Sequence, residues 1–289
     1  MTTAAGDRPC IEMGSRRAHE WAAVAAARAA YVAGFASTSN LEAGRTYGVP
    51  TRGTSAHSFT LLHDTERDAF TAQVDSLGKG TTLLVDTFDV ESAVALAVDV
   101  AGPELGAVRL DSGDLLVQAH AVREQLDALG ASNTKIIVTS DLDEHAIAAL
   151  AAAPVDAYGV GTALVTGSGA PTAGFVYKLV ARAAHGAAMV AVAKESSHKK
   201  SVGGRKYAFR RRSPDGVAEA EVIGLGMTAP RSAADRPLLI PLIRAGDVVG
   251  REPLSAARAR HDAARAELPV TALQMSRSEP AIPTIYQED

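Results

Sequence analysis

The stretch AVRLDSGDLL, residues 107–116, decides the reading of this chain. AVRL (107–110) is a short strand of the kind buried on both faces. LDSGD then sets Asp111, Ser112 and Asp114 where a strand ends and a helix begins. The helix is expected over 114–129, with apolar spacing at Leu115, Leu116, Ala119, Val122, Leu126 and Leu129. The same unit recurs on either side. TTLLVD (81–86) leads to a helix at 89–101, KIIVT (135–139) to a helix at 143–152, and DAYGV (156–160) is a further strand. Upstream lie a strand PCIEM (9–13), an alanine-rich helix over 17–35, GVPTRG (48–53) as a strand entering a turn, and a helix over 66–77. A strand–helix period of about 25–35 residues suits repeated βα units. A (β/α) barrel and a doubly wound sheet both fit. Polar residues follow the strands directly, at Asp86, Asp111-Ser112, Ser140-Asp141 and Gly161-Thr162. Both architectures place ligands at those carboxyl ends.

Past residue 175 the pattern changes. VYKLVARA (176–183), AAMVAVAKE (187–195) and GVAEAEVIGLG (216–226) look extended, and Gly203-Gly204 signals a hairpin. The expected organisation is a barrel-like catalytic domain over 1–174, a β-rich accessory unit over 175–250, and a C-terminal helix and tail over 251–289. That helix spans 253–267 behind Pro253, and the tail, with Pro280 and Pro283, reads as extended.

With 47% hydrophobic and 21% charged residues in 289, the chain is neither disordered nor collagen-like. Its lone cysteine, Cys10, excludes an intrachain disulfide and a cysteine-based zinc site, and fits a reducing compartment. A net charge of −4 argues against a globally basic nucleic-acid binder. The most apolar run, 22–36, contains Arg28 and is too short to span a bilayer. The first residues lack signal-peptide regions. The expectation is a cytoplasmic protein with no nucleic-acid or membrane partner.

Each candidate residue has a plainer role beside the chemical one. Arg109 and Asp111 could serve ribose hydroxyls, Mg²⁺ or positive charge on a sugar, while Ser112 or Asp114 could cap the helix. The turn GVGT (159–162) could cradle a phosphate or be a simple tight turn. Ser140 and Asp141 sit at a strand end, and Asp141 or Asp143 could be a cap. His57, in GTSAHSF (53–59), stands among small polar residues that let a ligand approach, although a lone histidine is more often structural. Arg16 and Arg17, in GSRRAHE (14–20), could stack on a ring, pair with a carboxylate or form surface salt bridges. His19 reads as a helix-start residue. The basic run HKKSVGGRKYAFRRR (198–212) is a solvated hairpin or a phosphate-attracting edge. No G-x-x-x-x-G-K-[ST] loop occurs.

In order and wording, GSRRAHE, STSN, GTSAHSF, RLDSGDL, TSDLDE, GVGT and VYKL resemble the nicotinate phosphoribosyltransferase family, and REPLSAARARHDAA (251–264) resembles its actinobacterial-type members. The resemblance implies a type II phosphoribosyltransferase: an irregular (β/α) barrel, incomplete at the N-terminus, with a small β-rich C-terminal unit. It implies formation of nicotinate mononucleotide and pyrophosphate from nicotinate and phosphoribosyl pyrophosphate, coupled to ATP hydrolysis through a phosphohistidine, with Mg²⁺, in NAD salvage. By motif, His57 would be the phosphorylated histidine. Arg16 would stack on the pyridine ring with Arg17 close by, and Thr38, Ser39 and Asn40 would lie near the ring carboxylate. Arg109, Asp111, Ser112 and Gly113 would line the ribose and pyrophosphate region. Ser140 and Asp141 would hold ribose and the 5′-phosphate approach, with Gly159, Gly161 and Thr162 cradling that phosphate. Family members are homodimers with a domain ahead of the segment matching PCIEMGSRR. Here Met1 falls only a few residues before it, and Ser37 stands where glycine is usual. A shortened, inactive remnant that keeps the barrel and some ligand binding is the alternative implied.

Overall fold

The computed structural model describes residues 1–196, 199–226, 232–276 and 278–288. Two compact units divide it, Met1–Thr172 and Ala173–Asp289.

In the first unit six short strands form one parallel sheet: β1 (Cys10–Glu12), β2 (Ser37–Thr38), β3 (Thr82–Leu84), β4 (Ala107–Leu110), β5 (Lys135–Val138) and β6 (Ala157–Val160). Their spatial order is β2-β1-β6-β5-β4-β3. The first strand therefore lies inside the sheet, with Glu12 level with Thr38 on one side and Val160 on the other. Arg109 is level with Leu84 and Ile137. This register brings the carboxyl ends of all six strands to one edge. The helices are α1 (Thr2–Ala5), α2 (Glu20–Val32), α3 (Leu41–Tyr47), α4 (His57–Leu61), α5 (Glu66–Leu77), α6 (Val90–Ala101), α7 (Leu115–Ala128), α8 (Glu144–Ala149) and α9 (Thr162–Val165).

Alternate residues of each strand point to opposite faces. Val108, Leu110, Ile136, Val138, Tyr158 and Val160 are fully buried in the core with Ala93, Val94 and Ala97 of α6 and Ala119, Val122 and Leu126 of α7. Alanine at these helix positions lets the backbones approach. The other face, with Ile11, Ser37, Ala107, Ile137 and Ala157, lines an open cavity of about 800 Å³. Helices on one face and an open interior on the other make an incomplete (β/α) barrel wall, which fits the expected fold class.

The expected helix over 66–77 and strand over 107–110 coincide with α5 and β4. Elsewhere local chemistry shifts the boundaries. Ser15–Arg17 form a separate 3₁₀ turn, so the helix expected from 17 starts at Glu20. GVPTRG is not a strand. Gly48, at φ +69°, ends α3, and Thr51 alone bridges to Thr38.

In the second unit Lys206–Arg212 and Ala218–Leu225 pair antiparallel, joined by a turn in which Gly216 has φ +85°. Arg236–Pro237 adds to the first strand, and Thr284–Glu288 runs parallel to the second. The terminal segment expected as an extended tail thus supplies an edge strand, because Ile285 packs on Phe209, Ala220 and Val222. Gly203-Gly204 is not the hairpin turn. A Cβ on Gly203 would lie 2.8 Å from the Val192 carbonyl oxygen, so close backbone approach requires glycine there. Of the runs 176–183 and 187–195, Ala181–Arg182 pairs with Val190–Ala191, and Glu195 pairs with Lys200. The C-terminal helix, α10 (Leu254–Ala266), follows Pro253. At its end Glu267 accepts hydrogen bonds from Arg210 (3.4 Å), Arg212 (3.2 Å) and Arg236 (2.7 Å). Part of the basic run is therefore an internal clasp. His198 of that run, 227–231 of the expected accessory unit, and Arg277 and Asp289 of the tail lie outside the described residues. Among the described residues no helix is long and apolar enough to cross a membrane.

Candidate active site

Arg109 is the hub of the strand-end edge. It leaves β4 with its side chain largely buried, donating from Nη1 to Thr54 Oγ1 (2.6 Å), from Nε to Thr139 Oγ1 (2.8 Å) and from Nη2 to Asp111 Oδ1 (2.8 Å). Three fixed partners give the guanidinium one orientation. Asp111 Oδ1 also accepts from the Thr139 hydroxyl. Burial pushes the Asp111 carboxyl up, but the Thr139 and Arg109 hydrogen bonds, with the charges of Arg109 and His57, outweigh it and hold the group below the usual carboxylate range.

Asp86, just beyond β3, faces Asp111. Its side chain is 2% exposed. Oδ2 accepts from the Asp111 N–H (3.0 Å) and the Ser112 hydroxyl (2.6 Å), whereas Oδ1 is buried without a hydrogen-bond partner. His57 opens α4 opposite this pair. Its Nε2 lies 3.8 Å from Asp86 Oδ1 and 3.6 Å from Asp111 Oδ2, and its Nδ1 lies 3.1 Å from Thr87 Oγ1. A half-exposed histidine between two carboxylates and a hydroxyl has a defined orientation and one side open to a reactant. Asp114 takes the plainer of its two roles and caps α7 through the Val117 N–H. Gly113, at φ +77°, makes the turn between.

Beside this group lies a cavity of about 200 Å³. Arg109, Asp111 and Thr139 form one wall, and Ser140, Asp141, Gly159, Gly161 and Thr162 another, with Arg16 and Arg17 from the turn after β1 on the rim. The sheet order explains the convergence, since β1, β6, β5 and β4 are successive neighbours. Gly159 is required by packing. A Cβ there would lie 2.4 Å from Thr139 Cγ2 and 2.8 Å from Met13 Sδ. Ser140 holds φ +112°, a backbone strain uncommon outside glycine and concentrated at functional sites. Asp143 caps α8 through His145 and Ala146, so Asp141 is not the cap and stands 3.5 Å from the Thr162 hydroxyl.

Thr38, Ser39 and Asn40 do not line this cavity. Thr38 is fully buried and its hydroxyl donates to Glu12. Asn40 caps α3 through the Ala43 N–H and donates to Ser15 Oγ at 2.9 Å, and Ser39 is exposed. Residue-by-residue reading did not assign roles to Glu12, Thr54, Asp86, Thr87 or Thr139. Asp86 carried a signal, a carboxylate directly after a strand, whereas Glu12 inside PCIEM carried none.

Among the described residues no three His, Cys, Asp or Glu side chains converge as a protein-only metal cage. Asp86 Oδ1, without a hydrogen-bond partner, and the nearby Asp111 carboxylate instead fit a hard cation that keeps most of its oxygen ligands from water and phosphate, as Mg²⁺ does.

No protein-family model matches the chain. It is 55% identical over 293 residues to the nicotinate phosphoribosyltransferase pncB1 of Mycobacterium tuberculosis, a match covering 98% of this chain and 64% of that protein. It is 30% identical to the human nicotinate phosphoribosyltransferase, over 76% of this chain and 52% of that one. A crystal structure of human nicotinic acid phosphoribosyltransferase superposes with a TM-score of 0.78 at 25% identity, covering 99% of this chain and 70% of that chain. A nicotinate-nucleotide pyrophosphorylase structure from Pyrococcus furiosus shares the fold, with a TM-score of 0.74 at 23% identity over 92% of this chain and 67% of that one. The chain thus spans 64% of its mycobacterial relative's length, and over that span it is similar to nicotinate phosphoribosyltransferases in sequence and fold.

Proposed function

We propose that this chain carries the phosphoribosyl-transfer site of a nicotinate phosphoribosyltransferase, making nicotinate mononucleotide and pyrophosphate from nicotinate and phosphoribosyl pyrophosphate. The observation that carries the proposal is the meeting of Arg16, Arg17, Arg109 and Asp111 with the Gly159–Thr162 turn around one cavity beside His57. An anionic ring acid and a pyrophosphate leaving group both call for arginines. Glycosyl transfer builds positive charge at the sugar carbon, which Asp111, held ionised, stabilises. Arg16 and Arg17 receive the ring acid. Ser140 and Asp141 hold the ribose at the 5′-phosphate approach, and the Gly161-Thr162 turn cradles that phosphate. Asp86 and Asp111 would hold Mg²⁺, which when bound neutralises charge on the departing pyrophosphate.

The proposal includes ATP coupling through His57. The carboxylates beside Nε2 keep a proton there, leaving the Nδ1 lone pair, on the Thr87 side, to attack the γ-phosphorus of ATP and release ADP. Hydrolysis of the phosphohistidine then returns free histidine and phosphate. A cytoplasmic location and a homodimer, with no nucleic-acid or membrane partner, belong to the same proposal. The deciding assay follows radiolabelled nicotinate with phosphoribosyl pyrophosphate, Mg²⁺ and ATP. Labelled mononucleotide is the expected product, and its absence from a folded preparation would overturn the reading.

A further inference from the structure

We infer that Glu12 is a positioning residue for the ring-acid end of the site, acting through the two loops it ties together; the inference rests on the nicotinate reading above. Glu12 ends β1 and is fully buried. Its two carboxylate oxygens serve different loops. Oε1 accepts from the Gly14 N–H at 2.5 Å, at the entrance to the arginine turn, and Oε2 accepts from the Thr38 hydroxyl. Its backbone carbonyl accepts from the Ser39 N–H at 2.8 Å. Thr38 Oγ1 in turn accepts from the Asn40 N–H at 2.9 Å, and Asn40 Nδ2 donates to Ser15 Oγ at 2.9 Å. Glu12, Gly14, Ser15, Asn40 and Thr38 therefore close a ring of hydrogen bonds, joining the turn that carries Arg16 and Arg17 to the STSN loop. The ring's far side is fixed by shape. A Cβ on Gly14 would lie 2.3 Å from Val165 Cγ1 and 2.9 Å from the Gly161 carbonyl oxygen, so the arginine turn has no room to slide toward the Gly161 loop.

A buried carboxylate is costly unless every oxygen is satisfied, and here the donors are the loops themselves. Without it, Gly14 N–H and Thr38 Oγ1 would be buried with no common partner, and the arginines would lose their fixed reference. Glutamine can keep the ring. Its oxygen accepts from Gly14, and its amide donates to Thr38 Oγ1, which has a second lone pair. Alanine cannot.

The experiment is steady-state kinetics and calorimetric nicotinate binding on the wild-type chain, Glu12→Ala, Glu12→Gln and Thr38→Val, each checked for folding by circular dichroism. Loss of positioning is expected to raise the nicotinate KM of Glu12→Ala by about tenfold or more. The KM for phosphoribosyl pyrophosphate should stay within about threefold, Glu12→Gln should recover most of the loss, and Thr38→Val should fall between. A lower kcat with both KM values unchanged would mark a merely structural role and overturn the inference, as would wild-type nicotinate affinity in folded Glu12→Ala. Should Glu12→Ala fail to fold, Thr38→Val, which removes one arm of the ring, decides by the same split. Absence of nicotinate binding by the folded wild-type chain would instead overturn the functional reading on which the inference rests.

Discussion

Asp111 answers to several neighbours at once, and its protonation is where that can be measured. Its carboxyl ionises at lower pH in the folded chain than in the unfolded one, where an aspartate titrates near about 3.9. The resulting stabilisation is complete above the unfolded value and fades as pH falls through the folded one. Asp111→Asn is therefore expected to flatten the acid limb of a stability–pH curve measured by urea unfolding, besides abolishing turnover. His57→Ala is expected to remove stimulation by ATP while leaving a slow, ATP-independent transfer, read by comparing product with and without ATP. Two neighbouring aspartates should separate cap from site. Asp143→Ala loses the α8 cap and should cost about 1 kcal/mol with activity kept. Asp141→Ala should weaken phosphoribosyl pyrophosphate binding with stability kept.

At the level of elements, Gly159 on β6 shows how closely the site is built into the sheet. Gly159→Ala must displace Thr139 or Met13, and overpacking of this kind costs about 1–3 kcal/mol. Because Thr139 donates to Asp111, the same change should lower activity beyond what the unfolding midpoint explains. Elements with strong periodicity, such as α5 and β4, could be read from sequence. So could the placement of Asp111, Ser140 and Gly161 at strand ends, because a parallel strand reveals its end by where apolar residues stop. β2 and α3 could not. Ser37-Thr38 is two polar residues long, buried only because β1 pairs with it and Glu12 needs the Thr38 hydroxyl. The STSN loop was legible as a motif, but that Thr38 turns inward rather than toward the cavity depends on a carboxylate 26 residues away in sequence. Likewise the clasp on Glu267 gathers arginines from strands that no local pattern connects to α10.

On the scale of the whole molecule, the two units have cores of very different extent. The first packs most of its sheet and helices around one cluster, while the second centres on Phe209, Ala220 and Val222. Lys178 lies six residues past the division and is exposed, in a stretch without regular structure. Limited trypsin digestion is expected to cut first there, detected as two complementary fragments by mass spectrometry. The sheet itself has a consequence for how this protein can change over time. On β4 and β5, residues facing the helices alternate with residues facing the cavity and its hub, so Val108 and Arg109 are adjacent in the chain yet under different selection. A saturating library should show a two-beat rhythm along these strands. Val108, Leu110, Ile136 and Val138 should accept substitutes by volume, whereas Arg109 and Thr139 should accept almost none whatever their size. Repacking can then accumulate on one beat without disturbing the other, and the lineage can vary its interior while its chemistry is inherited unchanged.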